Sequence, residues 1–303
     1  MDEFESFLAE NMDRNFYVVT PGGNPGDILI HMGLIKKLKK IEAKYRCLNL
    51  EEVYRRRISI GIKYLLNIAA FKARLDCQFK LFHIPEDSEI ILFEGGGYMN
   101  DLYYGLVLLK GILKEYKKPV VVAPHSFWFR STDFRKFFID KRPVVLFCRE
   151  KYSFNILSEM RLPRNVEVRL SKDTSLYLTR EELSEFTHFS AREDTIVCLR
   201  NDRESMIPKK AKRKIIEKVK EKAGRMLVAD ISKWRPLNAY ISAIANSSKV
   251  YTDRLHVAIL AHIFGKDLTF FSNCYHKNKG VFEYSMIGNP KVSFKDPSDF
   301  CEV

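Results

Sequence analysis

The stretch Lys249–Val250–Tyr251–Thr252–Asp253–Arg254–Leu255–His256–Val257–Ala258–Ile259–Leu260–Ala261 passes from a short strand-like run directly into an apolar helical one. A strand followed at once by a helix is the repeating element of a parallel α/β sheet. Nearly every helical position after His256 is apolar, so this helix is expected to be buried with cationic groups at its mouth. Helix N-termini present free N–H groups and the positive end of the dipole, which favours a bound phosphate or carboxylate. Residues two apart share a face in a strand but point to opposite sides of a helix. Arg254 and His256 can therefore serve one ligand only if the strand-to-helix turn lies among them. Thr252 or Asp253 is the expected N-cap. Taken alone, Arg-x-His is read equally well as an ion-paired arginine beside a satisfied core histidine.

Outward from this stretch the same alternation fills the chain. Strand-like runs occur at Phe16–Thr20, Tyr45–Leu50, Glu89–Phe93, Pro119–Ala123 and Val144–Cys148, and again at Thr195–Leu199, Arg225–Ala229, Lys249–Thr252 and Leu268–Phe271. Helical segments lie between most of them, which predicts parallel sheets with helices on both faces. The stretch Thr179–Asp194, with Arg180–Glu181–Glu182 and few apolar residues, has the composition of a connector. It divides the chain into two Rossmann-like halves, residues 1–180 and 181–303. Open α/β sheets bind ligands at the C-terminal ends of their strands, so a ligand cleft between two such domains is the expectation.

Composition narrows the class. With 303 residues, 46% of them hydrophobic, the chain can bury a sizeable core, which excludes a disordered or fibrous protein. No apolar run approaches a bilayer span, and the acidic N-terminus lacks a signal-peptide pattern. The expectation is a soluble, cytoplasmic protein, with the inner face of the membrane as a further place of work. The six cysteines show no Cys-x-x-Cys and no metal-ligand spacing, so reduced thiols and no metal are expected. The net charge of +13 is gathered in helical-looking runs such as Arg55–Arg56–Arg57 and Lys209–Lys214, where solvated faces are the default reading. No helix-turn-helix, RRM or zinc-finger signature accompanies it. Attraction to an anionic membrane surface or to a phosphate-bearing substrate fits the charge better than nucleic acid.

Two glycine-rich loops follow strands of the first half. Pro21–Gly22–Gly23–Asn24–Pro25–Gly26–Asp27 precedes a helix-like run, and Phe93–Glu94–Gly95–Gly96–Gly97–Tyr98 follows the third strand. Glycines permit positive φ and close backbone approach, and neither loop has the pattern of a P-loop or of Gly-x-Gly-x-x-Gly. A binding wall and plain strand-helix packing are both open readings.

Taken together, Gly22–Gly23–Asn24 with Gly26–Asp27, Phe93–Glu94–Gly95–Gly96–Gly97, Cys148–Arg149–Glu150 with Ser153, Asp253–Arg254–Leu255–His256 and Phe271–Ser272–Asn273–Cys274–Tyr275–His276–Lys277–Asn278 resemble the polysaccharide pyruvyltransferase family. Val257 and His276 stand where many relatives carry glycine. The resemblance implies two domains of the GT-B type and transfer of pyruvate from phosphoenolpyruvate to a sugar as a ketal. It implies phosphoenolpyruvate as co-substrate without any other cofactor, and a polysaccharide or lipid-carried sugar precursor as acceptor. By resemblance, Arg254, Leu255 and His256 form the donor and catalytic segment, joined by Arg200 at an earlier strand end and by Lys277. Gly23, Asn24, Asp27, Glu94, Gly95, Gly96 and Gly97 are candidates for the acceptor or cleft loops, with a helix cap at Asp27 and a structural hydrogen bond at Glu94 as the open alternatives.

The chemistry suits these residue types. Arginines bind a carboxylate and a phosphate through charge-assisted, bidentate hydrogen bonds. Histidine titrates in the right range to protonate a methylene carbon or to relieve a sugar hydroxyl of its proton. Competing readings are a GT-B glycosyltransferase using a nucleotide sugar, since a fold alone does not specify the donor, and a non-enzymatic binder of anionic polymers.

Overall fold

The computed structural model describes residues 1–187, 194–234 and 236–296. The chain divides into two compact units, Met1–Gly23 with Leu34–Thr174 and Asn24–Gly33 with Ser175–Val303. The second unit thus takes in a short N-terminal segment that a single division near residue 180 leaves with the first.

In chain order the first unit comprises α1 (Glu3–Glu10), β1 (Phe16–Thr20), the later part of α2 (Pro25–Lys40), β2 (Tyr45–Asn49), α3 (Leu50–Arg56), α4 (Ile58–Lys72), β3 (Ile90–Phe93), β4 (Gly96–Asn100), α5 (Gly105–Glu115), β5 (Val120–Trp128), β6 (Val144–Cys148), α6 (Lys151–Glu159) and β7 (Val166–Leu170). Its sheet is parallel, in the order β2-β1-β3-β5-β6-β7, with β4 on the extended part of β5. Every residue of β1 and β3 is buried, as expected of strands covered on both faces.

The second unit comprises α7 (Arg180–Ser184), β8 (Thr195–Cys198), α8 (Lys209–Lys220), β9 (Met226–Val228), α9 (Leu237–Ala245), β10 (Lys249–Thr252), α10 (Leu255–Ile263), β11 (Asp267–Phe271), α11 (Lys277–Val281) and β12 (Val292–Lys295). Its strands are parallel in the order β12-β11-β10-β8-β9, which makes β10 central. Leu29 of α2 belongs to its core, with Val257, Ile259 and Leu260 of α10. On α8 the buried positions are Ala211, Ile215 and Val219, one turn apart, so the lysine run is a solvated helix face.

The sequence predicts nine strands, and the structure adds β4, β7 and β12. Of these β4 is a correction, because Gly96 and Gly97 were expected in a loop. The reason is that β5 runs on to Trp128, past the end of β3, and offers backbone there for Gly96–Asn100 to pair with. In the connector, Thr179 and Glu182 form a capping box that starts α7. The connector's later part lies outside the described residues. Among the described residues no helix is long and apolar enough to cross a membrane.

Candidate functional site

The mouth of α10 is built by strand-end hydrogen bonds. The Thr252 hydroxyl donates to the Cys198 carbonyl (2.7 Å) and accepts from the Arg254 amide (3.0 Å). Asp253 Oδ1 accepts from the Arg200 amide at 2.7 Å. The ends of β8 and β10 are thereby tied together, and both side chains expected to cap the helix are used elsewhere. The N-cap is Arg254, in extended conformation (φ −92°, ψ 115°), with no side-chain cap bond. The turn therefore lies between Arg254 and His256, the condition under which the two can face one ligand.

Arg254, Arg200 and Lys277 converge on three carboxylates. Arg254 makes a two-pronged bond to Asp230 (Nε 3.1 Å, Nη2 2.5 Å) and reaches Asp202 through Nη1 at 2.6 Å. Arg200 also binds Asp202, at 2.8 and 3.2 Å, and pairs with Glu204. Lys277 pairs with the same Glu204, which accepts from Asn273 as well. Lys212 donates to the Arg200 carbonyl (2.5 Å), Asn201 and Ser205. Burial opposes charging these carboxyls, yet their cationic partners hold Asp202, Glu204 and Asp230 below the ordinary carboxylate range. Burial likewise works against the two guanidinium groups, and the carboxylates outweigh it and raise both. Asp202 and Lys212 line an open depression of about 690 Å³ with Asn201, Ser205 and Pro208, so the acid shared by Arg200 and Arg254 stands at its wall.

Asp253 behaves differently. Burial lifts its carboxyl to about 6, only partly countered by the Arg200 amide and nearby cations. Its Oδ2 is buried without a hydrogen-bond partner. The group stands behind Arg200 and Arg254 and can take or release a proton close to neutrality.

His256 is the second residue of α10, half-buried, in the turn whose amides carry the positive helix end. Against it lies Gly26. A Cβ built there would sit 2.7 Å from both Cβ and Cγ of His256 and also collide with Nδ1, so Gly26 is the residue that lets the start of α2 approach the histidine. The neighbouring residues form a helix cap: Asn24 Oδ1 accepts from the Gly26 amide (2.8 Å), and Asp27 accepts from the Asn24 amide (2.9 Å). Leu255, grouped with the pair by resemblance, and Val257 are buried in the second core.

In the first unit the predicted residues are engaged locally. Gly22 has φ +81°, and a Cβ there would meet Glu51; the same carboxylate accepts from the Gly23 amide at 3.0 Å. Glu94 is buried and accepts from Thr20. Gly95 and Gly96 are buried and Gly97 is half-buried. At Gly96 the close approach is to the Tyr98 ring, whose hydroxyl donates to the Glu94 and Gly95 carbonyls (3.0 and 3.1 Å). Arg149 pairs with Asp173 at 2.7 Å in full burial rather than with Glu150, which caps α6. His125 is fully buried with Tyr98 packed edge-on at 4.4 Å, and burial, then Arg149, keep it neutral.

The sequence reading missed Asp202, Glu204 and Asp230. Asp230 ends the run Arg225–Ala229, and Asp202 and Glu204 follow Thr195–Leu199, so the rule that sites gather at C-terminal strand ends pointed to all three.

Two parallel sheets flanked by helices, with charged residues gathered at strand ends, define a two-domain α/β protein of the GT-B type. Solved structures share the fold, among them the following two. A functionally uncharacterised protein from Klebsiella pneumoniae is 21% identical, with 97% of each chain covered and a TM-score of 0.63. The UDP-GlcNAc 2-epimerase of Methanocaldococcus jannaschii, solved with UDP-GlcNAc and UDP, is 11% identical over 93% of this chain and 89% of that one, with a TM-score of 0.52. Comparison with curated proteins finds no significant match. The family model for polysaccharide pyruvyl transferases matches residues 24–275, and the chain belongs to that family.

Proposed function

We propose that this transferase moves pyruvate from phosphoenolpyruvate onto a sugar of a polysaccharide or lipid-carried precursor, forming a ketal and releasing phosphate. The observation that carries the reading is the Arg254–His256 turn: an arginine buttressed by Asp230 and Asp202, followed within one helical turn by a histidine on a positive helix end. Arg254, Arg200 and Lys277 supply fixed cations for a donor bearing a carboxylate and a phosphate, held by acidic partners that keep them oriented. His256 acts as the proton-transfer group. Protonation of the donor's methylene carbon creates an oxocarbenium-like centre at C2, and one sugar hydroxyl adds there and loses its proton. The C2–O bond to phosphate then breaks, and a second hydroxyl closes the ketal as its proton passes to the departing phosphate.

The test is incubation with phosphoenolpyruvate and candidate glycans, followed by phosphate release and the mass increase of a pyruvyl ketal. His256→Ala is expected to fold and bind donor but not turn over; ketal formation at the wild-type rate removes His256 from the chemistry. Thermal stabilisation by UDP-sugars and not by phosphoenolpyruvate would replace this reading with a nucleotide-sugar transferase.

A further inference from the structure

Helix α4 is apolar on both of its faces. Its inner side, with Ile60, Tyr64 and Phe71, packs on the first core. Its outer side carries Ile58 (80% exposed), Ile62 (53%), Leu65 (65%) and Leu66 (46%). The spacing i, i+4, i+7, i+8 makes a continuous stripe facing water, where a surface helix ordinarily carries polar residues.

The stripe continues beyond the helix on ordered backbone. Arg74 adopts φ +57°, the Leu75 amide bonds the Ala70 carbonyl (2.9 Å) and the Arg74 amide bonds that of Phe71 (3.1 Å). These two bonds are a Schellman closure, which turns Leu75 back beside the helix end. Asn67 then clasps the backbone of Phe79 in both directions, at 2.7 and 2.9 Å. Leu75 (56% exposed) and Phe79 (40%) are thus held out in fixed positions.

Cations border the stripe. Arg55, Arg56 and Arg57 stand at its start, Lys63 within it, and Arg74 and Lys80 at its end, all exposed. Arg55 and Arg56 pair with Glu51 and Glu52, whereas Arg57, Lys63 and Arg74 have no acidic partner among the described residues.

We propose that this face docks on an anionic lipid surface. Aliphatic side chains reach the boundary of the acyl region, with arginine and lysine at headgroup level, as on interfacial amphipathic helices. A second copy of the chain suits the face poorly, because an isologous pairing sets each cationic border against its own duplicate. The inference goes beyond the pyruvyl-transfer reading and needs neither donor nor acceptor to be tested.

The test is flotation of the full chain with vesicles of phosphatidylcholine alone or mixed equally with phosphatidylglycerol. Wild type is expected to float with the mixed vesicles and to be released by salt. The Ile62→Ser/Leu65→Ser double variant keeps the net charge and alters only exposed positions. It is expected to retain the wild-type melting temperature and to partition at least about tenfold more weakly, from the loss of two aliphatic anchors. Absence of wild-type flotation overturns the proposal. So does equal flotation of the double variant, which would mean that net charge alone suffices. A wild-type dimer that the double substitution dissociates, without vesicle binding, overturns it in favour of self-association.

Discussion

Gly26→Ala tests the packing that places His256. The added methyl lies 2.7 Å from both Cβ and Cγ of the histidine, against an ordinary carbon–carbon separation of about 3.5–4 Å. Rotation of the imidazole does not relieve the contact with Cβ, which is fixed to the α10 backbone. The start of α2, where Pro25 and Gly26 are buried, must therefore move relative to α10 by ~1 Å. Overpacking of this kind costs about 1–3 kcal/mol, and a displacement of that size at a reacting group costs on the order of 100-fold in rate. The expected variant is folded, melts several degrees lower, binds phosphoenolpyruvate, and releases phosphate about 100-fold more slowly. Calorimetry and a coupled phosphate assay measure each quantity. A normal turnover number alongside the expected loss of stability would show that the position of His256 does not govern the reaction.

Gly61→Ala is the matched control: nothing lies within 4 Å of a Cβ at this helical position, so a gain of about 0.5–1 kcal/mol with unchanged turnover is expected by urea unfolding. Asp202→Asn removes the carboxylate shared by Arg200 and Arg254, and because Asp202 is about one-third exposed the gain in donor affinity is modest, a fall in KM of roughly 2–5-fold; a rise in KM would instead mean that Asp202 orients the arginines. Asp253→Asn changes the pH dependence of stability. Burial raises the native carboxyl from 3.8 to about 6, so within that window the native state holds the extra proton and wild-type stability falls as pH rises. Relative to wild type, the asparagine variant is expected to gain up to about 3 kcal/mol between roughly pH 4 and roughly pH 7. Parallel stability profiles for the two proteins would rule out the raised pKa.

Fold class was legible because parallel strands covered on both faces become continuous apolar runs, as in Phe16–Thr20 and Glu89–Phe93. The strands that escaped carry weaker patterns for physical reasons. Val166–Leu170 alternates polar and apolar residues and is only partly buried, and Gly96–Asn100 contains glycines that read as punctuation until β5 supplies a partner. The assignment of Asn24–Gly33 to the second unit was not legible, since Leu29 joins a core whose other buried members run from Leu178 to Met286.

At the site, the cations were legible and their partners were not, and the reason is informative. Arginine and histidine at a buried helix mouth violate the expectation for core residues and so attract notice, whereas Asp202, Glu204 and Asp230 sit in polar loops where acids are unremarkable. Yet the acids decide what the cations can do. Unpaired guanidinium groups this deeply buried would carry a large desolvation cost, and fully neutralised ones would hold a dianion weakly. Here Glu204 is buried and Asp230 is only 10% exposed, whereas Asp202, which joins the two arginines, lies on an open depression. On the proposed function, a donor that exchanges for Asp202 alone would leave each arginine a second carboxylate to fix its direction, Glu204 for Arg200 and Asp230 for Arg254, which would divide orientation from binding. That division makes the sign of the Asp202→Asn effect diagnostic, and it predicts that Asp230→Asn, which loosens the two-pronged hold on Arg254, acts in the opposite direction.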